Sequence, residues 1–148
     1  MIRRTRALVL CLFAVSSFAL GQAAAAGPSL YKRLGGYDAV AAVTDDLIVR
    51  LATDKQLSRF FVGLSADSKG RLRQHFVEQI CAATGGPCVY TGRDMKTAHK
   101  GLAITESDWS IAVKHLTDTL DKFQVPAKEK GEVVAIVAGL KNDVVEKP

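Results

Sequence analysis

Histidines and a pair of cysteines are the residues of this sequence best suited to chemistry. Histidine transfers protons near neutral pH and is a common ligand of iron and zinc. The three imidazoles are widely separated, at His75, His99 and His115. A zinc site needs more Cys and His at close spacing, so none is predicted. His99 lies in the polar, basic stretch TGRDMKTAHKGL (91–102), and composition alone favours an exposed side chain there.

Common enzyme and nucleic-acid motifs are missing from the sequence. No glycine-rich loop ends in the lysine of a phosphate site, and no G-x-S-x-G motif marks a nucleophilic serine. No C-x-x-C-H sequence would attach a c-type haem. No basic stripe interleaved with aromatic residues indicates nucleic-acid binding. These classes therefore receive no support.

The first 26 residues have the pattern of a secretory signal peptide. Three arginines precede an apolar run from Ala7 to Leu20, and the small residues of QAAAAG follow it. The run is shorter than the roughly 20 residues that span a bilayer, so we expect cleavage near Ala24 or Ala26 and no membrane span in the mature chain. Losing three arginines lowers the formal net charge from +5 to +2. We predict one exported domain, residues 27–148, in the bacterial periplasm.

Cys81 and Cys88 remain in the mature chain. In an oxidising compartment such a pair is readily bridged, and the turn TGGP (84–87) can bring Cys88 back toward Cys81. We expect a disulfide, with two free thiols as the alternative. On a helical wheel Cys81 lies about 100° from Ile80 and about 140° from Phe76, so it points away from their face.

Helical periodicity dominates the mature chain. Apolar residues recur at helical spacing over 37–52, over about 68–83, after the near capping box TESD (105–108), and after Pro126. No strand-like alternation runs as long. Gly35-Gly36 and TGGP interrupt this pattern, and residues 88–101 are predicted to be a loop that ends in a short helix. The sequence therefore predicts an all-α fold.

Four blocks of sequence and one helix form a more specific pattern. The blocks are LYKRLGG (30–36), RFF (59–61), ATGGP (83–87) and YTGRDMKTAHKGLAIT (90–105). With the helix that follows, they resemble the group 1 truncated haemoglobins from Leu30 to about Val144. The resemblance implies a two-over-two helical sandwich around one haem b, with His99 as the proximal iron ligand. For His99, this role replaces the exposed side chain that composition alone favours. The chemistry agrees, since neutral imidazole is a good ligand of haem iron.

Further residues take expected roles from the same resemblance. Phe61 matches the phenylalanine that packs flat on the haem, and Tyr90, Met95 and Lys96 match positions along its edge. Lys96 is expected either to pair with a propionate or to be solvated. The expected cofactor contacts are Phe61, Leu72, Phe76, Ile80, Tyr90, Met95, Lys96 and His99.

The distal side departs from the family pattern. Many members carry a tyrosine and glutamines where this chain has Ile48, Leu72 and Phe76, which donate no hydrogen bond. We therefore expect weak retention of dioxygen and easy oxidation of the iron. His75 lies about 60° from Leu72 on the wheel, where some members have a sixth iron ligand; a propionate contact and solvent exposure are its alternatives. His115 lies off the apolar stripe and is expected at the surface or in a second layer.

The resemblance implies reversible binding of O2, NO or CO at a histidine-ligated haem iron. One alternative is an electron-transfer or NO-detoxifying haem protein, with His75 and His99 on the iron and an external electron donor. The other is a cofactor-free helical interaction module whose pocket is filled by side chains.

Overall fold

A computed structural model of the chain describes residues 27–147. In this range it contains seven α-helices and one turn of 3-10 helix, Ser58–Phe60. The α-helices are α1 Leu30–Arg33, α2 Gly36–Thr53, α3 Ala66–Ala83, α4 Met95–His99, α5 Glu106–Lys122, α6 Ala127–Ala138 and α7 Lys141–Val144. The expected all-α fold is confirmed. The expected signal peptide lies outside the described residues.

Two helix pairs, α2 with α3 and α5 with α6, form the frame, and α2 also packs across α5. Leucines on the facing sides of α2 and α5 are buried together with Val133 of α6. Each such leucine contributes about 1.5–3 kcal/mol when it is fully buried. A smaller buried cluster of Val40, Ala41 and Val77 joins α2 to α3. These two apolar clusters therefore fix α2, α3, α5 and α6 to one another.

Short polar and glycine signals set the helix ends. Gly35 and Gly36 have φ angles of +99° and +80°, in the left-handed region that favours glycine. The chain turns at these two residues between α1 and the body of α2. The Ser65 side chain accepts from the amide of Ser68 and begins α3 at Ala66, two residues before the predicted start. Thr105 and Asp108 form the reciprocal capping box of α5, as the TESD pattern predicts.

The C-terminal region differs from its prediction. The apolar positions from Val133 to Val144 suggested one helix, but the chain breaks after Ala138 and resumes as α7. Gly139 stands at this break and has a low helix propensity. Within residues 27–147, no helix combines the length and apolar composition needed to cross a bilayer.

Candidate functional site

His99 is the last residue of α4, a helix of only five residues. The Asp94 side chain caps its start by accepting from the amide of Thr97 at 2.8 Å. His99 Nδ1 lies 2.8 Å from the carbonyl oxygen of Met95. A carbonyl only accepts, so Nδ1 carries the proton and Nε2 holds the free lone pair. In its neutral form, the half-buried ring therefore has Nε2 available as a ligand nitrogen.

His75 lies on α3 beside a carboxylate. Its Nδ1 is buried, has no hydrogen-bond partner within 27–147, and lies 3.7 Å from Glu78 Oε2. The ring meets that of Tyr90 edge-on, with centroids 6.0 Å apart. Hydrogen bonds from Gln74 and then from Thr91 hold the pKa of Glu78 at about 2, so this group is a carboxylate at neutral pH. Thr91 binds it through both amide and hydroxyl, which ties α3 to the segment before α4.

A disulfide joins the same two segments. Cys81, fully buried on α3, is bonded to Cys88, and their Cα atoms are 5.8 Å apart. The turn between them needs Gly86, because a Cβ there would lie 2.6 Å from Cys81 Sγ. The bonded sulfur of Cys81 is not available as a thiolate ligand.

The predicted cofactor contacts are distributed over three parts of the fold. Phe61 follows the 3-10 helix, and it packs with Phe76 of α3 against the main core. Ile80, farther along α3, packs against the smaller cluster. Tyr90 precedes α4, and its hydroxyl donates to the carbonyl of Arg93 at 2.7 Å. Leu72 and Met95 are half-buried, as is Ile48 of the expected ligand pocket, whereas Lys96 is exposed.

These side chains suit a flat apolar cofactor that carries a metal. The aromatic and aliphatic members are half-buried, which leaves part of each surface available for contact. His99 could supply one imidazole nitrogen to a metal, and Lys96 could offer a cation to the acidic edge of such a cofactor. The hydrogen bond of the His99 ring stays within α4. The contact between the rings of Tyr90 and His75 joins the segment before α4 to α3.

His115 is separate from this group. Its Nε2 lies 2.9 Å from Asp54 Oδ2, and both side chains are 21% exposed. This contact holds α5 to the residues that follow α2, as expected for a second-layer histidine.

One contact beside the candidate site was missed by sequence reasoning. Glu146, close to the C-terminus, accepts hydrogen bonds from the amides of Gly101 and Ala103, just after His99. No local pattern signals a contact between residues more than 40 positions apart.

Comparisons with known proteins agree with this geometry. Residues 29–146 match the family described as bacterial-like globin. The chain is 37% identical over 116 residues to the group 1 truncated hemoglobin GlbN of Mycolicibacterium paratuberculosis, covering 78% of this chain and 83% of that protein. It is 34% identical over 122 residues to group 1 truncated hemoglobin LI410 of Chlamydomonas moewusii, covering 81% and 70%.

A solved structure shares the architecture. The 2/2 hemoglobin of a Synechococcus species, described in the cyanomet state with covalently attached heme, superposes with a TM-score of 0.73 at 29% identity. The match covers 80% of this chain and 98% of that one. The family match over residues 29–146 and the 37% identity to a group 1 relative together show that this chain belongs to the group 1 truncated haemoglobins, within the bacterial-like globins.

Proposed function

We propose that this chain binds one haem b through His99 and reversibly binds O2, NO or CO. The observation that carries the proposal is the hydrogen bond from His99 Nδ1 to the Met95 carbonyl, which leaves Nε2 as the ligand nitrogen. When bound, haem supplies an iron centre with a position for a small neutral ligand. Membership of a globin family supports this chemistry.

The remaining site residues would hold and surround the cofactor. Phe61 and Phe76 offer aromatic surface that is already fixed against the core. Lys96 would pair with a propionate, but it is exposed, so the pair would contribute about 1 kcal/mol at most. Ile48, Leu72 and Phe76 exclude water without donating hydrogen bonds. We therefore expect dioxygen to dissociate readily.

Substitution of His99 tests the proposal. The mature protein is reconstituted with haemin, and ferric, ferrous and CO spectra are recorded for the wild type, His99→Gly and His115→Ala. We expect His99→Gly to lose the native Soret band and to recover it when imidazole is added. His115→Ala serves as the control, because its ring contacts Asp54 instead. An unchanged spectrum in His99→Gly contradicts the proposal, and a wild type that stays colourless supports the cofactor-free module.

The position of His75 favours a second candidate function. Ligand histidines commonly present their other nitrogen to a carboxylate, and the Glu78 carboxylate lies beside His75 Nδ1, at 3.7 Å and without a hydrogen bond. Ligation by both His75 and His99 would suit an electron-transfer or NO-detoxifying protein that is reduced by an external donor.

We also infer that the protein is exported to the periplasm. The leader pattern of residues 1–26 supports export. The bond between Cys81 and Cys88 supports an oxidising compartment, because cytosolic thiols are normally kept reduced.

A further inference from the structure

The C-terminal end of α4 has little support of its own. The chain leaves the helix at Lys100, whose ψ of 126° is not helical. Gly101 and Ala103 both follow with positive φ, +86° and +54°. A left-handed conformation is costly for alanine and persists only where surrounding contacts enforce it. One local hydrogen bond, from the Leu102 amide to the His99 carbonyl at 3.1 Å, holds this turn, and the amides of Gly101 and Ala103 on either side of Leu102 take their partner from outside the segment.

Glu146 is that partner, through both carboxylate oxygens. Oε1 accepts from the amide of Gly101 at 2.7 Å, and Oε2 accepts from the amide of Ala103 at 2.6 Å. The main chain completes the contact, since the amides of Glu146 and Lys147 donate to the carbonyl of Ile104 at 2.9 and 3.1 Å. We name these contacts between residues 101–104 and 146–147 the C-terminal clasp.

The clasp is attached to the core through α7. Val144, the last residue of α7, is buried, and α7 packs against α4. Hydrogen bonds to an ionised group are about twice as strong as neutral ones. Hydrogen bonds from the Gly101 and Ala103 amides also lower the pKa of Glu146, so the carboxylate stays ionised at neutral pH.

We propose that Glu146 is a positioning residue, whose carboxylate fixes residues 101–103 and thereby the direction in which His99 presents Nε2. The inference rests on the proposed function, in which His99 holds the haem iron. Without the clasp, the last turn of a five-residue helix frays, and the imidazole samples more orientations. The iron–imidazole bond then weakens, and haem leaves the protein faster.

Two variants of Glu146 test the proposal. Glu146→Ala removes both acceptors, whereas Glu146→Gln keeps one and removes the charge. Lys141→Ala is the matched control, because it breaks the exposed 2.6 Å ion pair from α7 to Glu106 without touching residues 100–104. Haem loss is followed by transfer to excess apomyoglobin. The iron–imidazole stretching band is recorded by resonance Raman immediately after photolysis of the CO complex.

We expect haem loss from Glu146→Ala to be about tenfold faster than from the wild type, since hydrogen bonds to a charged group are lost. Its stretching band should be lower and broader, Glu146→Gln should be intermediate, and Lys141→Ala should match the wild type. Wild-type stretching bands in both Glu146 variants overturn the inference, even where haem loss or the melting temperature changes. Failure of the proposed function would give a different result, because His99→Gly would then keep the wild-type absorption spectrum.

Discussion

At the residue scale, the three histidines differ in what their ring nitrogens contact. His99 donates its Nδ1 hydrogen within α4, and His115 contacts the Asp54 carboxylate through Nε2. His75 Nδ1 has only the more distant Glu78 carboxylate beside it. A nitrogen that is already engaged does not bind a metal, so His75 and His99 keep Nε2 as a possible ligand, whereas the nitrogen of His115 without a partner is its buried Nδ1.

Substitution of His75 separates the two candidate functions. If His75 binds the iron, the ferrous wild type is six-coordinate and low-spin, and His75→Ala becomes five-coordinate. Occupancy by His75 in about nine of ten molecules would lower the affinity for CO about tenfold, so His75→Ala should bind CO about tenfold more tightly. The measurements are the ferrous absorption spectrum and a CO titration, with His115→Ala as control. A five-coordinate wild type rules out ligation by His75.

At the scale of the elements, Asp108 connects the start of α5 to the 3-10 helix. Its side chain is 1% exposed and accepts from the amide and hydroxyl of Thr105 at 2.9 and 2.8 Å. Gln56 and Arg59 donate to it as well, both at 2.7 Å. Burial raises the pKa of Asp108, but hydrogen bonds from Gln56, Thr105 and Arg59 outweigh it and bring the pKa to about 2. Phe61 directly follows the helix held in this way.

The substitution Asp108→Asn should destabilise the fold in a pH-dependent manner. At pH 7 we expect the free energy of unfolding to fall by about 2 kcal/mol, from a weakened cap and lost charged hydrogen bonds. The pKa of Asp108 is about 2 in the folded chain and about 3.9 in an unfolded one. The ionised carboxylate of Asp108 therefore contributes fully to the free energy of unfolding above about pH 5. This contribution decreases progressively as the pH falls to 2.

Urea unfolding at pH 7 and pH 3 measures this effect, and the difference between wild type and Asp108→Asn should be smaller at pH 3. Asp118→Asn is the control on the same helix, since it removes only the exposed ion pair with Lys114 and should cost less than about 0.5 kcal/mol. A difference that is the same at both pH values would be inconsistent with this role of Asp108.

Periodicity and capping residues predicted the helices that build the frame, but not the ties between them. The apolar spacing of α2 and α3 and the Thr105 cap of α5 are local signals, and each gave bounds within two residues. The break at Gly139 was missed, because apolar positions continue across it. The Glu146 contacts depend on how α7 returns to α4, which no local pattern contains. His99 was recognised through a family resemblance, since composition alone indicated an exposed residue.

At the scale of the whole molecule, a disulfide and the long-range contacts of the C-terminal clasp, besides the hydrogen bonds from Thr91 to Glu78, hold the segment that carries His99. The bond between Cys81 and Cys88 joins its beginning to α3, and the C-terminal clasp joins its end to α7. Helices as short as α4 are unstable alone in water. The orientation of His99 is therefore a property of the assembled fold.

Removal of the disulfide should lower stability through the unfolded chain. The bond closes a short loop with a sequence separation of 7, for which chain entropy gives a stabilisation of about 2–3 kcal/mol. We expect the double variant Cys81→Ser/Cys88→Ser to lose this amount in urea unfolding, and the wild type to lose the same amount when reductant is added. The double variant is its own control, because reductant should leave its midpoint unchanged. Thiol titration of the unfolded mature protein (27–148), which lacks Cys11, must show no free thiol before reduction and two afterwards. An unchanged midpoint after both thiols have been released would contradict the predicted stabilisation by the bond.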